Sequence, residues 1–212
     1  DGGDPGTRPR ILMSATAPSR GALAAFAALS FAFYAHSGLI VTYAPLWYQS
    51  LGYGTLAIGV LVSLQGATRL FMPYAWGWLA DHSGRRVGML RLAVGVALAS
   101  ALAYGVSSAY AWVFAATLVM FIATSGVTPM TEAALSQVVT RAGGAGMDVG
   151  RYGRVRLWGS IGFIAMVAGG GALLQSVGIG AYPALVVTLL AVLLAVALRL
   201  PALDGPPHGA AA

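Results

Sequence analysis

The sequence has no cysteine, which excludes disulfides, thiol catalysis and a cysteine-ligated metal. It has no lysine either, and all twelve basic residues are arginine. Charge of either sign is scarce. Charged residues make up 8% of the 212, against about 25% in a soluble domain. That is too little polar surface to cover a fold in water, so the chain is expected to lie in a membrane. The net charge of +6 does not point to nucleic acid, because no basic, aromatic-interleaved patch accompanies it. No HExxH, paired acidic metal motif or phosphate-binding glycine loop occurs, so no metal and no cofactor is expected.

What the sequence does have is long apolar runs. Hydrophobic residues make up 58% of the chain. A hydrocarbon core about 30 Å thick needs roughly 20 apolar residues in a helix. Six segments reach that length, at approximately 21–48, 56–80, 87–107, 109–138, 153–177 and 180–200. The expected fold is therefore all-α, a polytopic bundle of six transmembrane helices over 21–200. Residues 1–20 read as a polar N-terminal tail, with 1–12 preceding a natural start at Met13. Residues 201–212, with Pro206-Pro207 and an alanine run, read as the beginning of a linker. No small-residue cleavage site follows the first run, so it reads as a span and not as a signal peptide.

The loops separate by charge. Arg8, Arg10 and Arg20 precede the first span, Arg85, Arg86 and Arg91 lie at the second loop, and Arg141, Arg151, Arg154 and Arg156 lie at the fourth. The first, third and fifth loops carry no charge. The positive-inside rule then puts both termini in the cytoplasm, as expected of a protein of the bacterial inner membrane. Trp47, Trp76, Trp78 and Tyr48 fall near span ends and read as an interfacial belt.

Several polar residues break the apolar pattern. Arg69 lies about ten residues inside its span, roughly 15 Å along the axis, too deep to snorkel to water. It needs a polar cavity or a partner, and its planar fork suits a carboxylate. Glu132 in the fourth span and Arg156 at the start of the fifth fall at similar depth on consecutive helices and can pair. His36 lies mid-way along the first span, where an imidazole can bind solute, titrate or simply pack. Gly162 and Gly169-Gly170-Gly171 let the fifth span pack closely.

Between the second and third spans runs Gly77-Trp78-Leu79-Ala80-Asp81-His82-Ser83-Gly84-Arg85-Arg86. Gly84 can take φ > 0 and close a turn, Gly77 can let a neighbouring backbone approach, and Asp81 can accept hydrogen bonds from the next helix start. The order G-x-L-A-D-x-x-G-R-R resembles the loop signature of the major facilitator superfamily of secondary transporters. His82 stands where that family usually has Arg or Lys. The resemblance implies a gating loop of Gly77, Asp81, Gly84, Arg85 and Arg86 that helps lock two transporter halves together. Tyr152-Gly153-Arg154-Val155-Arg156-Leu157-Trp158-Gly159-Ser160-Ile161-Gly162-Phe163 resembles proton symporters related to the phenylpropionate, nucleoside and lactose permeases. Thr42-Tyr43-Ala44-Pro45-Leu46-Trp47 and Val127-Thr128-Pro129-Met130-Thr131-Glu132 resemble the same group, and the phenylpropionate-permease-like branch fits best. This implies six helices forming an N-terminal half, with a C-terminal six-helix half as partner. It also implies transport of a small organic solute, an aromatic or other carboxylic acid favoured, with a proton as coupling ion. Substrate contacts are then expected at Arg69, Glu132, Arg156, His36 and Trp158.

Other readings are a sugar or nucleoside symporter, an efflux half, or a non-transporting assembly subunit of the membrane. A six-span serine protease would need a histidine on a span after Ser125-Gly126, and His36, His82 and His208 do not supply one.

Overall fold

A computed structural model describes residues 20–143 and 149–200, with Arg20, Asp81, Val149 and several residues at 137–143 described in their backbone alone. The tails at 1–19 and 201–212, to which two of the expected regions belong, lie outside the described residues. Seven α-helices follow in order: α1 (Arg20–Ser50), α2 (Thr55–Ser83), α3 (Arg86–Leu102), α4 (Tyr110–Ser125), α5 (Val127–Gly143), α6 (Val149–Val177) and α7 (Tyr182–Leu198). They make six helical stretches long and apolar enough to cross a membrane, and no strand occurs among the described residues. In hydrocarbon every backbone donor and acceptor must be satisfied within its own segment, and a helix does this. The protein is an integral membrane protein.

The fourth stretch, Tyr110–Ser136, is one apolar run but two helices, α4 and α5, broken at Gly126. Two causes meet there. Pro129 has no N–H to offer the Ser125 carbonyl four residues back. The Ile122 carbonyl instead accepts the Trp76 indole N–H of α2 at 2.7 Å and the Ser125 hydroxyl at 2.7 Å. Gly126 leaves room for that indole, since a Cβ there would sit 2.7 Å from Trp76 Cδ1. The break therefore fastens α2 to α4.

Helix α1 is the hub. It packs most extensively on α6, then on α7, while α3 packs on α4 and α7. The α1–α6 contact is close because glycines face backbone. A Cβ at Gly38 would lie 2.9 Å from the Phe163 carbonyl oxygen, and one at Gly162 would overlap the Phe31 carbonyl. Further along, the Tyr43 hydroxyl donates to the Val167 carbonyl, lying over Gly171. Of the glycine triplet, Gly170 and Gly171 make close contacts and Gly169 faces open space.

At the end away from the arginines, Trp47, Tyr48, Tyr104 and Tyr182 knit α1, the 3₁₀ turn after α3 and α7 together. Trp47 stacks on Tyr182 at 5.2 Å, and the Tyr48 and Tyr104 hydroxyls meet Thr117 of α4 at 3.3 and 3.0 Å. Trp47 and Tyr48 are thus core residues, and Trp76 bonds within the bundle. Of the four aromatics expected to form a belt, Trp78 is the exposed one. In the first loop, Tyr53 donates to the Ser108 carbonyl at 2.7 Å, and burial pushes its phenol above the usual range. At the arginine end, Arg91 of α3 donates to the carbonyls of Ala197, Leu198 and Leu200, capping the last turn of α7.

The signature between the second and third spans is mostly helical. Helix α2 runs on to Ser83, and only Gly84 and Arg85 separate it from α3. Gly84 takes φ 64°, the left-handed C-cap that a glycine supplies cheaply. Gly77 does not do what was expected of it here. A Cβ there would meet nothing within 4 Å, so no backbone of these helices approaches it. The hydrogen bonds expected of the Asp81 carboxylate lie outside the described residues. Arg85 and Arg86 flank the turn, with Arg86 opening α3.

Candidate functional site

Helices α1, α2, α4, α5 and α6 border a groove along one side of the bundle, largely apolar but set with polar and charged side chains. Its three hollows share residues and so form one surface. A small one of about 30 Å³ lies between Tyr34, Glu132, Tyr152 and Arg156. One of about 360 Å³ lies between His36, Gln65, Arg69 and Thr128. One of about 430 Å³ lies between Tyr34, Ser37, Arg69, Arg156 and Phe163. Tyr34 borders all three. Its ring rests against Gly159 of α6, where a Cβ would come within 3.0 Å of Cε2.

The Arg156 guanidinium donates from one terminal nitrogen to Oε1 of Glu132 at 2.6 Å, a short charge-assisted bond. The pair bridges α5 and α6, and its side chains are 43% (Glu132) and 58% (Arg156) exposed, so both remain open to the groove. Arg69 borders the two larger hollows and has no hydrogen-bond or ion-pair partner among the described residues. His36 is buried, borders the 360 Å³ hollow, and both of its ring nitrogens lack a partner among the described residues. The groove thus brings together Arg69, Glu132, Arg156 and His36 from four helices.

Trp158 is not among them. It stands two residues past Arg156, which is 200° around the helix, and borders a separate hollow with Arg151 and Arg154. Phe163 holds the place in the groove that Trp158 was expected to hold. It follows Arg156 by seven residues, two helical turns, and so shares its face. Ser160 lies there too. Counting in sevens from Arg156 would have found Phe163. Tyr34 and Ser37 were missed because neither is out of place in an apolar run.

Residues 23–204 match the family described as MFS_1 like. The chain belongs to the MFS_1 like family. This is a family of major facilitator transporters and not of enzymes. The maltose permease of Geobacillus stearothermophilus is 29% identical to this chain over 111 residues, 52% of this chain and 27% of that protein. A crystal structure of a mutant of the nucleoside transporter NupG superposes with a TM-score of 0.78 at 20% identity, covering 89% of this chain and 46% of that one. The six-helix facilitator fold is therefore shared, and the chain spans less than half the length of the relatives it matches.

Proposed function

We propose that these six helices are the N-terminal half of a secondary transporter that moves a small anionic organic solute, an aromatic or other carboxylic acid favoured, with a proton as coupling ion. The observation that carries this reading is Arg69. It is a guanidinium deep in an apolar span, bordering a groove, with no acid beside it among the described residues. A carboxylate would supply the missing charge through a two-point contact. The rings of Tyr34, Phe33 and Phe163 give the groove apolar walls for an aromatic body. Helices α2 and α6 bury little of themselves within the bundle, as expected of surfaces that meet a second six-helix half, and the greater length of the relatives supports that partner. A carboxylate at the groove, Glu132, supports proton coupling.

The test is binding and uptake by the complete gene product, with labelled aromatic acids, maltose and nucleosides offered in parallel. Aromatic acids should bind, and Arg69→Gln should weaken them about ten- to hundredfold, the worth of one or two charged hydrogen bonds. A proton uncoupler should stop accumulation. Binding of maltose or a nucleoside with no binding of acids overturns the anionic reading in favour of the neutral solutes named by the relatives.

The same reading puts both termini in the cytoplasm of a bacterial cell, on the strength of the arginine asymmetry. With no native cysteine, single substitutions report cleanly. Gly54→Cys, Ser108→Cys and Gly178→Cys should react with an impermeant reagent from outside, and Ser83→Cys only from inside. Outside labelling at Ser83→Cys reverses the orientation.

A further inference from the structure

The 360 Å³ hollow holds more polar groups than a carboxylate at Arg69 would use. Phe33, His36, Ser37 and Ile40 of α1 border it at i, i+3, i+4 and i+7, one helical face. Gln65 and Arg69 border it from α2, about one turn apart. His36 is 2% exposed, and neither of its ring nitrogens has a partner among the described residues. The Gln65 amide makes no hydrogen bond among them either. The hydroxyls of Thr68, Thr124 and Ser125, which border the same hollow, are different. Each has committed its proton to a carbonyl about one turn back in its own helix, those of Leu64, Met120 and Ile122, at 2.8, 2.9 and 2.7 Å. His36 and Gln65 are therefore not served by these neighbours. An unpaired polar atom buried in an apolar bundle is expensive and calls for a partner.

We propose that His36 and Gln65 pair with a hydroxyl group of the transported solute. With the carboxylate held at Arg69, this makes the solute a hydroxylated carboxylic acid, and His36 the residue that selects it over its deoxy analogue. The assignment rests on the reading above for the place of the solute in the groove. A neutral imidazole has one donor and one acceptor nitrogen, and a carboxamide likewise both donates and accepts. A hydroxyl answers both, donating its proton to one side chain and accepting from the other. A second carboxylate only accepts, so it would leave the acceptor of each side chain unpaired. An ammonium group would face Arg69 with no Asp or Glu among the described residues at the hollow to hold it. An apolar substituent would cover the imidazole without pairing it. Arg69 borders both larger hollows, so a solute clasped there can reach His36 and Gln65 on one side and Phe163 on the other.

The experiment measures equilibrium binding to the full-length protein in nanodiscs, with phenylpropionate and its ortho, meta and para ring-hydroxylated forms compared in parallel. The parent protein should bind at least one hydroxylated form about ten- to hundredfold more tightly than phenylpropionate, the worth of pairing one or two buried polar groups. His36→Leu should bring that ratio to about one, and Gln65→Leu should lower it. Arg69→Gln should weaken all four acids and leave the ratio standing. His36→Leu should also hold or raise the melting midpoint, because it removes two unpaired buried nitrogens. A histidine that served only packing would move the midpoint and not the ratio. Gln65 is half-buried, so Gln65→Leu keeps the comparison open if His36→Leu fails to fold. The proposal is overturned if the parent prefers none of the hydroxylated forms, or if His36→Leu keeps the ratio. If the acids do not bind and maltose or a nucleoside does, the anionic reading fails by itself. The hydroxyl contact is then decided on that solute and its deoxy forms. A loss on deoxygenation that His36→Leu erases upholds the contact, and equal binding of every deoxy form overturns it.

Discussion

Gly162→Ala is expected to unfold the bundle more than any other single methyl added to it. Its Cβ would overlap the Phe31 carbonyl oxygen and come within 3.0 Å of the carbonyl carbon and Cα of the same residue. All three are helix backbone, which cannot rotate away as a side chain would. The only relief is to move α1 from α6, and that also parts Gly38 from Phe163 and Tyr34 from Gly159. Helices in lipid gain little from burying apolar surface against each other, so close packing carries their association. Overpacking of a tight site costs about 1–3 kcal/mol, and at about 2–4 °C per kcal/mol the melting midpoint of the full-length protein in detergent should fall by several degrees. Gly169→Ala and Gly95→Ala face open space and relieve a helical glycine, so they should hold or raise the midpoint. If Gly162→Ala melts with the parent, the α1–α6 contact is looser than described.

The six spans were legible because twenty apolar residues in a row have few alternatives, and the arginine clusters marked their ends. The pairing of Glu132 with Arg156 was legible for a similar reason: two charges at one depth in an apolar medium seek each other. Rotation about the helix axis was harder to read. Helix α6 is apolar nearly all round, so no polar stripe in its sequence says which way Trp158 points, and only the spacing from Arg156 settles that Phe163 shares its face. The break at Gly126 was hidden for another reason. Hydropathy runs unbroken through it, and one of its causes, the Trp76 indole, comes from a helix some fifty residues earlier. Trp47 and Tyr48 lie near a span end, as a belt residue would, yet their partners Tyr104, Thr117 and Tyr182 are far off in sequence and pull them inward. Gly77 shows the opposite limit. The sequence marks it as a place for close approach, and among the described residues nothing lies within 4 Å of a Cβ there.

Glu132→Gln and Arg156→Gln are each expected to weaken solute binding by about tenfold or more, and the double variant should lose less than the two losses combined. The contact is short and charged, but both side chains are open to the groove, so its value to stability is small and thermal melting should barely respond. Binding is the sensitive readout. Only one guanidinium nitrogen is engaged by Glu132, and Tyr152 is a second hydrogen-bond partner of the fork, so the two together fix how Arg156 borders the groove. Glu132 therefore orients Arg156, and removing the acid releases the arginine to swing among Tyr34, Tyr152 and the open hollow. Removing the arginine leaves an unneutralised carboxylate facing the anionic solute proposed above, so Arg156→Gln should be the worse of the two. In the double variant the repelling carboxylate is gone as well, which gives a coupling of about 0.5–3 kcal/mol. Arg156→Lys separates charge from shape: an ammonium can reach Glu132 or the solute, but its donors cannot be spread over both as a planar fork can, so affinity should stay well below the parent. The measurement is equilibrium binding of a labelled aromatic acid to the full-length protein, with melting midpoints run beside it. Additive losses would reduce the pair to two independent contacts. Parental affinity in both single variants would remove the pair from the site and leave Arg69 and His36 as the residues that hold the solute.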